Sequence, residues 1–211
     1  MIVKICGITN LDDAVAAVDA GADILGYNFF RGSPRYIAPE ECLEIQQHLK
    51  GEGFEIRTAG IFVDTPADEI VEIHGFCELD LVQLSGAATP EQVIRVGVPA
   101  IVSIREPDYE AAILEVKGYA DSPKEVRFIF DRLHPGVFGG TGEVGDWHLA
   151  SQVASRFPIL LAGGLSPENV QQACDEVQPW GVDVASGVES SPGRKDPVKM
   201  QAFVRAAKSV G

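Results

Sequence analysis

The sequence predicts a (β/α)8 barrel, the TIM-barrel architecture, folded as a single compact domain over residues 1–211. Three observations predict it. Eight short aliphatic runs alternate with helical stretches, the glycines gather around the last three of those runs, and 211 residues with 45% hydrophobic content suit one core better than two.

The strand-like runs are VKIC from Val3, DILGYNFF from Asp23, RTAGIFV from Arg57, LVQL from Leu81, PAIVSI from Pro99, RFIFD from Arg127, ILLAGG from Ile159 and VDVASG from Val182. Between them lie helical stretches at Leu11 to Ala20, Pro39 to Lys50, Pro66 to Gly75, Pro90 to Val96, Asp108 to Lys117, Asp146 to Ser155, Pro167 to Val177 and Pro197 to Ser209. Five of these start at Pro, which suits the first helical position because its missing N–H would be unpaired there. A strand–helix–strand order requires parallel pairing, since parallel neighbours need a long crossover. An open doubly wound sheet usually has a Gly-rich turn after its first strand, and here only Gly7 follows Cys6. A barrel instead gathers its phosphate-binding glycines after strands seven and eight, which matches this chain.

Acidic residues number 31 against 17 basic ones, a formal charge of −14 with no Lys/Arg cluster. That balance disfavours nucleic acid and anionic membranes as partners. An anionic metabolite can still bind where backbone N–H groups or one placed Arg supply a local positive potential. Met1 to Gly7 reads as a strand with no leader signature, and no apolar run is long enough for a membrane span, so the expected location is the cytoplasm. Cys6, Cys42, Cys77 and Cys174 form no CxxC pair, and the four histidines are scattered; reduced thiols and no metal site are expected.

Barrel enzymes carry their reactive groups at the C-terminal ends of strands. Here those ends hold Cys6, Asp64, Gln83, Ser85, Asp131, Asp183 and Ser186, with Arg31 to Arg35 after the second strand and Gly139 to Gly142 and Gly163-Gly164 after the sixth and seventh. Cys6 reads either as a small buried hydrophobe or as a base. Strand alternation puts Lys4 below it on the same face, where the ammonium could favour the thiolate or could form an interior ion pair with an inward carboxylate. Asp131 ends the apolar run Phe128-Ile129-Phe130, a setting for a proton donor, although an Asp at a strand end also caps turns. Arg35 suits bidentate grip of a carboxylate or simple solvation at the surface, and Tyr36 beside it offers a flat face for an aromatic ring. Gly163-Gly164 before Ser166-Pro167, and Ser186-Gly187 before a short turn, read as plain turns or as a phosphate cup with N–H donors at a helix start. Gly139 to Gly142 suits a covering loop or a static turn.

The ordered motifs KICGIT (Lys4 to Thr9), GADILGYNF (Gly21 to Phe29), SPRYI (Ser33 to Ile37), GIFVD (Gly60 to Asp64), VQL (Val82 to Leu84), FDRLHPGVFGGTG (Phe130 to Gly142), Asp146-Trp147, LAGGLSPENV (Leu161 to Val170), VDVASGVE (Val182 to Glu189) and PGRKD (Pro192 to Asp196) resemble those of the phosphoribosylanthranilate isomerases. The resemblance covers nearly the whole chain. It implies an Amadori rearrangement of a small phosphosugar in tryptophan biosynthesis by a monomer or homodimer, needing no metal or organic cofactor, with Cys6 as general base and Asp131 as general acid. It further implies that Arg35 holds the anthranilate carboxylate, that Asp183 lines the substrate site, and that Gly163, Gly164, Ser186 and Gly187 contact the phosphate. Two positions depart from the family pattern: Ser85 stands where QLHG has His, and Ala185 where SSGVE has its first Ser. Rival readings keep the barrel but give it another or a second aminoaldose substrate, or make it a catalytically idle binding subunit.

Overall fold

Successive side chains of a strand point to opposite faces, so a strand covered on both sides needs apolar residues at nearly every position. The eight predicted runs have that composition. A computed structural model describes residues 1–104, 108–131 and 147–209, and in it all eight runs are strands. They are β1 (Ile2–Cys6), β2 (Ile24–Asn28), β3 (Arg57–Val63), β4 (Leu81–Ser85), β5 (Ala100–Ile104), β6 (Val126–Phe130), β7 (Ile159–Leu161) and β8 (Gly181–Val184). Each pairs in parallel with the next, and β8 pairs with β1, closing the barrel. The helices between them are α1 (Leu11–Asp19), α2 (Pro39–Gly51), α3 (Ala67–Phe76), α4 (Pro90–Val96), α5 (Tyr109–Gly118), α6 (Trp147–Ala154) and α7 (Val170–Val177), with α8 (Pro197–Lys208) ending the order.

Two apolar layers hold the fold. Inside the barrel, Ile24, Ala59, Leu81, Ile101, Ile129, Leu160 and Ala162 pack together, with Ile2 and Trp180 beneath them. Outside it, the alternate strand residues, among them Val3, Ile5, Leu25, Val82, Val102 and Val182, meet the inner faces of the helices. Cys42, Cys77 and Cys174 are fully buried in this outer layer as packing residues. Among the described residues no helix is long and apolar enough to cross a membrane.

Helix starts depart from expectation where Pro was the guide. Pro39, Pro90 and Pro197 do open helices. Pro66 is instead the extended residue preceding α3. Pro167 lies in a turn, and α7 starts three residues later, because Asn169 accepts from Ser166 N–H (2.8 Å) and donates to the Gly164 carbonyl (2.9 Å). A short antiparallel hairpin, β9 (Glu189–Ser191) with β10 (Arg194–Lys195), follows a 3₁₀ turn at Ser186–Val188 and lies outside the predicted pattern. The Gly139 to Gly142 loop and Asp146 lie outside the described residues.

The backbone approach is close where β8 meets β1. A Cβ on Gly181 would lie 2.7 Å from the Ile2 carbonyl oxygen and 2.8 Å from Leu160 Cδ2. Gly181→Ala therefore overpacks the barrel floor, at a cost of about 1–3 kcal/mol. We expect the melting temperature to fall by about 3–10 °C. Turnover at low temperature should stay near wild type, because the site lies at the other end of the strands; an unchanged melting curve would contradict this packing.

Candidate active site

Parallel strands deliver all their C-terminal ends to one mouth of the barrel, so polar residues there converge without being near in sequence. A cavity at that mouth is lined by Cys6 of β1, Asn28 of β2 with Phe30, Ser33 and Arg35 of its loop, and Gln83 and Ser85 of β4. Asp131 after β6, Gly163 and Gly164 after β7, and Asp183, Ser186 and Gly187 at the end of β8 complete the polar wall. The eight candidate residues thus share one cavity. Asp64 does not join them: it sits at φ 49° and turns its carboxylate to the Ala87 N–H (2.9 Å), bracing the loop after β4.

Lys4 and Asp183 stand opposite each other in the β1–β8 register, and Lys4 Nζ donates to Asp183 Oδ1 at 2.7 Å. Of the two readings of Lys4, the interior ion pair is the observed one. Burial works against the ammonium, but Asp183 and then Cys6 outweigh it and hold Lys4 above the usual lysine value. Lys4 also favours the Cys6 thiolate, as the other reading has it, but does not by itself decide the state of Cys6. Burial pushes the Cys6 thiol up, Asp183 adds to that, and the opposing fields of Lys4 and Lys195 recover only part of it. Cys6 therefore rests as a thiol whose ionisation the two ammonium groups make less costly.

Arg35 reaches the cavity across the top of β1, where its stem crosses Gly7. At φ 77° and with a hypothetical Cβ only 2.7 Å from Arg35 Cδ, Gly7 must be glycine for that path. The guanidinium is paired rather than free at the surface. Its Nε and Nη2 donate to the two Glu189 oxygens, each at 2.8 Å, leaving the other edge of the fork for a ligand. Asn28 and Ser33 shape the loop: Asn28 accepts from Phe30 N–H (2.9 Å), and Ser33 Oγ accepts from Arg35 N–H (3.1 Å). The aromatic ring on the cavity wall is Phe30, whereas Tyr36 carries Arg31 over its face at 5.2 Å.

The loops after β7 and β8 touch backbone to backbone. A Cβ on Gly187 would fall 1.9 Å from the Leu165 carbonyl oxygen, so no other residue keeps them in contact. Gly163 and Gly164 take φ of 86° and 66°. Because α7 starts at Val170, the Ser166 N–H serves a turn rather than a helix start. On the opposite wall Ser85 and Ser103 hydroxyls pair at 3.0 Å. Gln83 Oε1, buried beside them, has no hydrogen-bond partner among the described residues.

Residues 3–206 match the family described as N-(5'-phosphoribosyl)anthranilate (PRA) isomerase. The chain belongs to the PRA isomerase family. Relatives so named include one from Geobacter sp. (strain M21), 44% identical over 99% of this chain and 98% of its own, and one from Pelobacter propionicus, 43% identical over 98% and 95%. The crystal structure of phosphoribosyl anthranilate isomerase from Thermotoga maritima superposes with a TM-score of 0.87 at 34% identity over all of both chains. Another PRA isomerase structure, holding reduced 1-(o-carboxyphenylamino)-1-deoxyribulose 5-phosphate, gives a TM-score of 0.84 at 34% identity, again over both whole chains.

Within this PRA isomerase fold, Glu189 and Lys195 are the functional candidates that motif reading missed. In the sequence Glu189 only ends VDVASGVE, and Lys195 only lies within PGRKD. Lys195 Nζ is instead fully buried, donating to Glu189 Oε1 and to the Ala185 carbonyl, both at 3.0 Å. The state of Cys6 is directly measurable. Its raised value predicts that alkylation by iodoacetamide keeps accelerating as pH rises past about 8.5, where an ordinary thiol begins to level. A rate that plateaus near pH 7 would contradict the thiol resting state.

Proposed function

We propose that this chain isomerises N-(5'-phosphoribosyl)anthranilate to 1-(2-carboxyphenylamino)-1-deoxyribulose 5-phosphate, the Amadori step of tryptophan biosynthesis. The observation that carries the reading is the placement of Cys6 and Asp131 on walls of one cavity three strands apart, with Arg35 and the glycine loops at separate positions around them. A substrate with an anion at each end and a reacting sugar between them fits that arrangement.

In this reading Asp131 gives its proton to the ribose ring oxygen as the C1–O bond breaks, and the anthranilate nitrogen lone pair forms the C1=N iminium. The Cys6 thiolate then takes the C2 proton, and the C–H electron pair becomes the C1=C2 bond of a neutral enolamine. Protonation at C1 and loss of the 2-hydroxyl proton give the ketone. Asp183, tied to Lys4, borders the reacting centre. Gly163, Gly164, Ser186 and Gly187 hold the phosphate by backbone N–H groups, and Arg35 takes the carboxylate. The chain acts as one catalytic domain on a small phosphosugar in the cytoplasm, alone or as a homodimer; its charge of −14 disfavours nucleic acid as a partner.

Fluorescence loss from freshly generated phosphoribosylanthranilate tests the proposal. Cys6→Ala and Asp131→Asn should each lower kcat by about 10² to 10⁴ with ligand affinity largely retained. Near-normal turnover in either variant would remove that residue from its role, and no turnover by the wild-type chain would overturn the substrate assignment.

A further inference from the structure

Arg35 and the phosphate cup stand on loops far apart in sequence, yet one buried carboxylate touches the machinery of both. Glu189 accepts the Nε and Nη2 bonds of Arg35 and the Nζ bond of Lys195. Lys195 Nζ also donates to the carbonyl of Ala185, the residue before Ser186-Gly187. The hairpin carrying Glu189 and Lys195 is itself fastened to the first βα loop and to α1: Thr9 Oγ1 donates to the Gly193 carbonyl at 2.6 Å, and Lys195 N–H to Asp13 Oδ2 at 2.9 Å. Lys199 Nζ adds a bond to the Glu189 carbonyl at 2.9 Å.

Two features set this apart from an ordinary structural ion pair. First, Arg35 and Lys195 share the single carboxylate of Glu189, so neither cation has a side-chain counter-ion to itself in this buried place. An anionic ligand group beside Arg35 would supply one, which favours its entry over a neutral isostere. Second, a free arginine loses rotamer freedom when it grips a ligand, whereas one already held by a bidentate pair has little left to lose.

We infer that Glu189 is a positioning residue that fixes Arg35 for the substrate carboxylate and, through Lys195 and the Ala185 carbonyl, ties that end of the site to the phosphate cup. This rests on the reading of Arg35 as the carboxylate reader. Glu189 does not line the cavity, so its effect passes through Arg35 and Lys195.

The test compares two ligands, reduced 1-(o-carboxyphenylamino)-1-deoxyribulose 5-phosphate and its phenylamino counterpart without the carboxyl. Wild type should favour the first by about 10- to 200-fold, the usual worth of a hydrogen bond to a charged group. Glu189→Gln should shrink that preference at least about fivefold while the affinity for the second ligand changes by less than about threefold. Glu189→Asp keeps the charge but draws the carboxylate back from Arg35, so it should lose the preference too; it carries the test should Glu189→Gln fail to fold. Lys195→Met should keep the preference and weaken both ligands and inorganic phosphate alike. If both Glu189 variants retain the wild-type preference while Arg35→Ala abolishes it, the positioning role is overturned and the Arg35 reading stands. If Arg35→Ala retains it, the reading of Arg35 itself fails. A Glu189 variant that melts lower and weakens both ligands equally shows a merely structural role, and Lys195→Met with unaltered phosphate affinity removes the tie to the cup.

Discussion

The Lys4–Asp183 ion pair is the interaction on which the rest of the site depends. It spans the seam where the first strand meets the last, with Lys4 directly opposite Asp183 in the register. A lysine buried in a barrel interior is tolerated only when paired, and removing one member of such a pair typically costs about 3–5 kcal/mol. Satisfying that pair aligns β1 with β8, and the alignment sets Cys6 one inward step above Lys4 at the cavity floor. It also puts Asp183 on the cavity wall and starts the Ser186-Gly187 loop at the height where it meets Leu165.

A protein with a formal charge of −14 must attract a doubly anionic ligand by local means. Its inward cations provide them without forming a basic patch. Lys4, Arg35 and Lys195 sit in or beside the site, each paired with a carboxylate, and Glu189 serves two of them. Arg35 and Lys195 together hold the Glu189 carboxyl below its usual value against the effect of burial. Lys195, buried and facing Arg35, is itself lowered despite Glu189. Lys4 and Lys195 also limit the cost of forming the Cys6 thiolate, so part of the same field serves the base.

Strands were legible because a sheet covered on both faces imposes a local composition, and eight such runs are hard to arrange otherwise. Helix starts were less so: Pro167 has the look of a first helical residue, but the Asn169 side chain takes up Ser166 and Gly164 and delays the helix. The glycine loops stood out because close backbone approach leaves glycine as the sole option, as at Gly187. Glu189 did not stand out. Its partner Arg35 lies 154 positions away in the chain, and no local pattern distinguishes a carboxylate that clamps an arginine from one that ends a strand. Asp64 misled for the same reason in reverse, since a strand-end position does not say which way a residue with positive φ turns its side chain.

The proposed function requires a single direction of ligand binding, with the phosphate on the β7 and β8 loops, the carboxylate on Arg35, and the sugar between Cys6 and Asp131. A crystal structure of this chain with the reduced product analogue measures it directly. Phosphate oxygens are expected within hydrogen-bond distance, about 2.7–3.2 Å, of the N–H groups at Gly163, Gly164, Ser186 and Gly187, and the carboxylate on the free edge of the Arg35 guanidinium. A phosphate bound by Arg35 or Lys199, or a sugar lying away from Cys6 and Asp131, would contradict that direction.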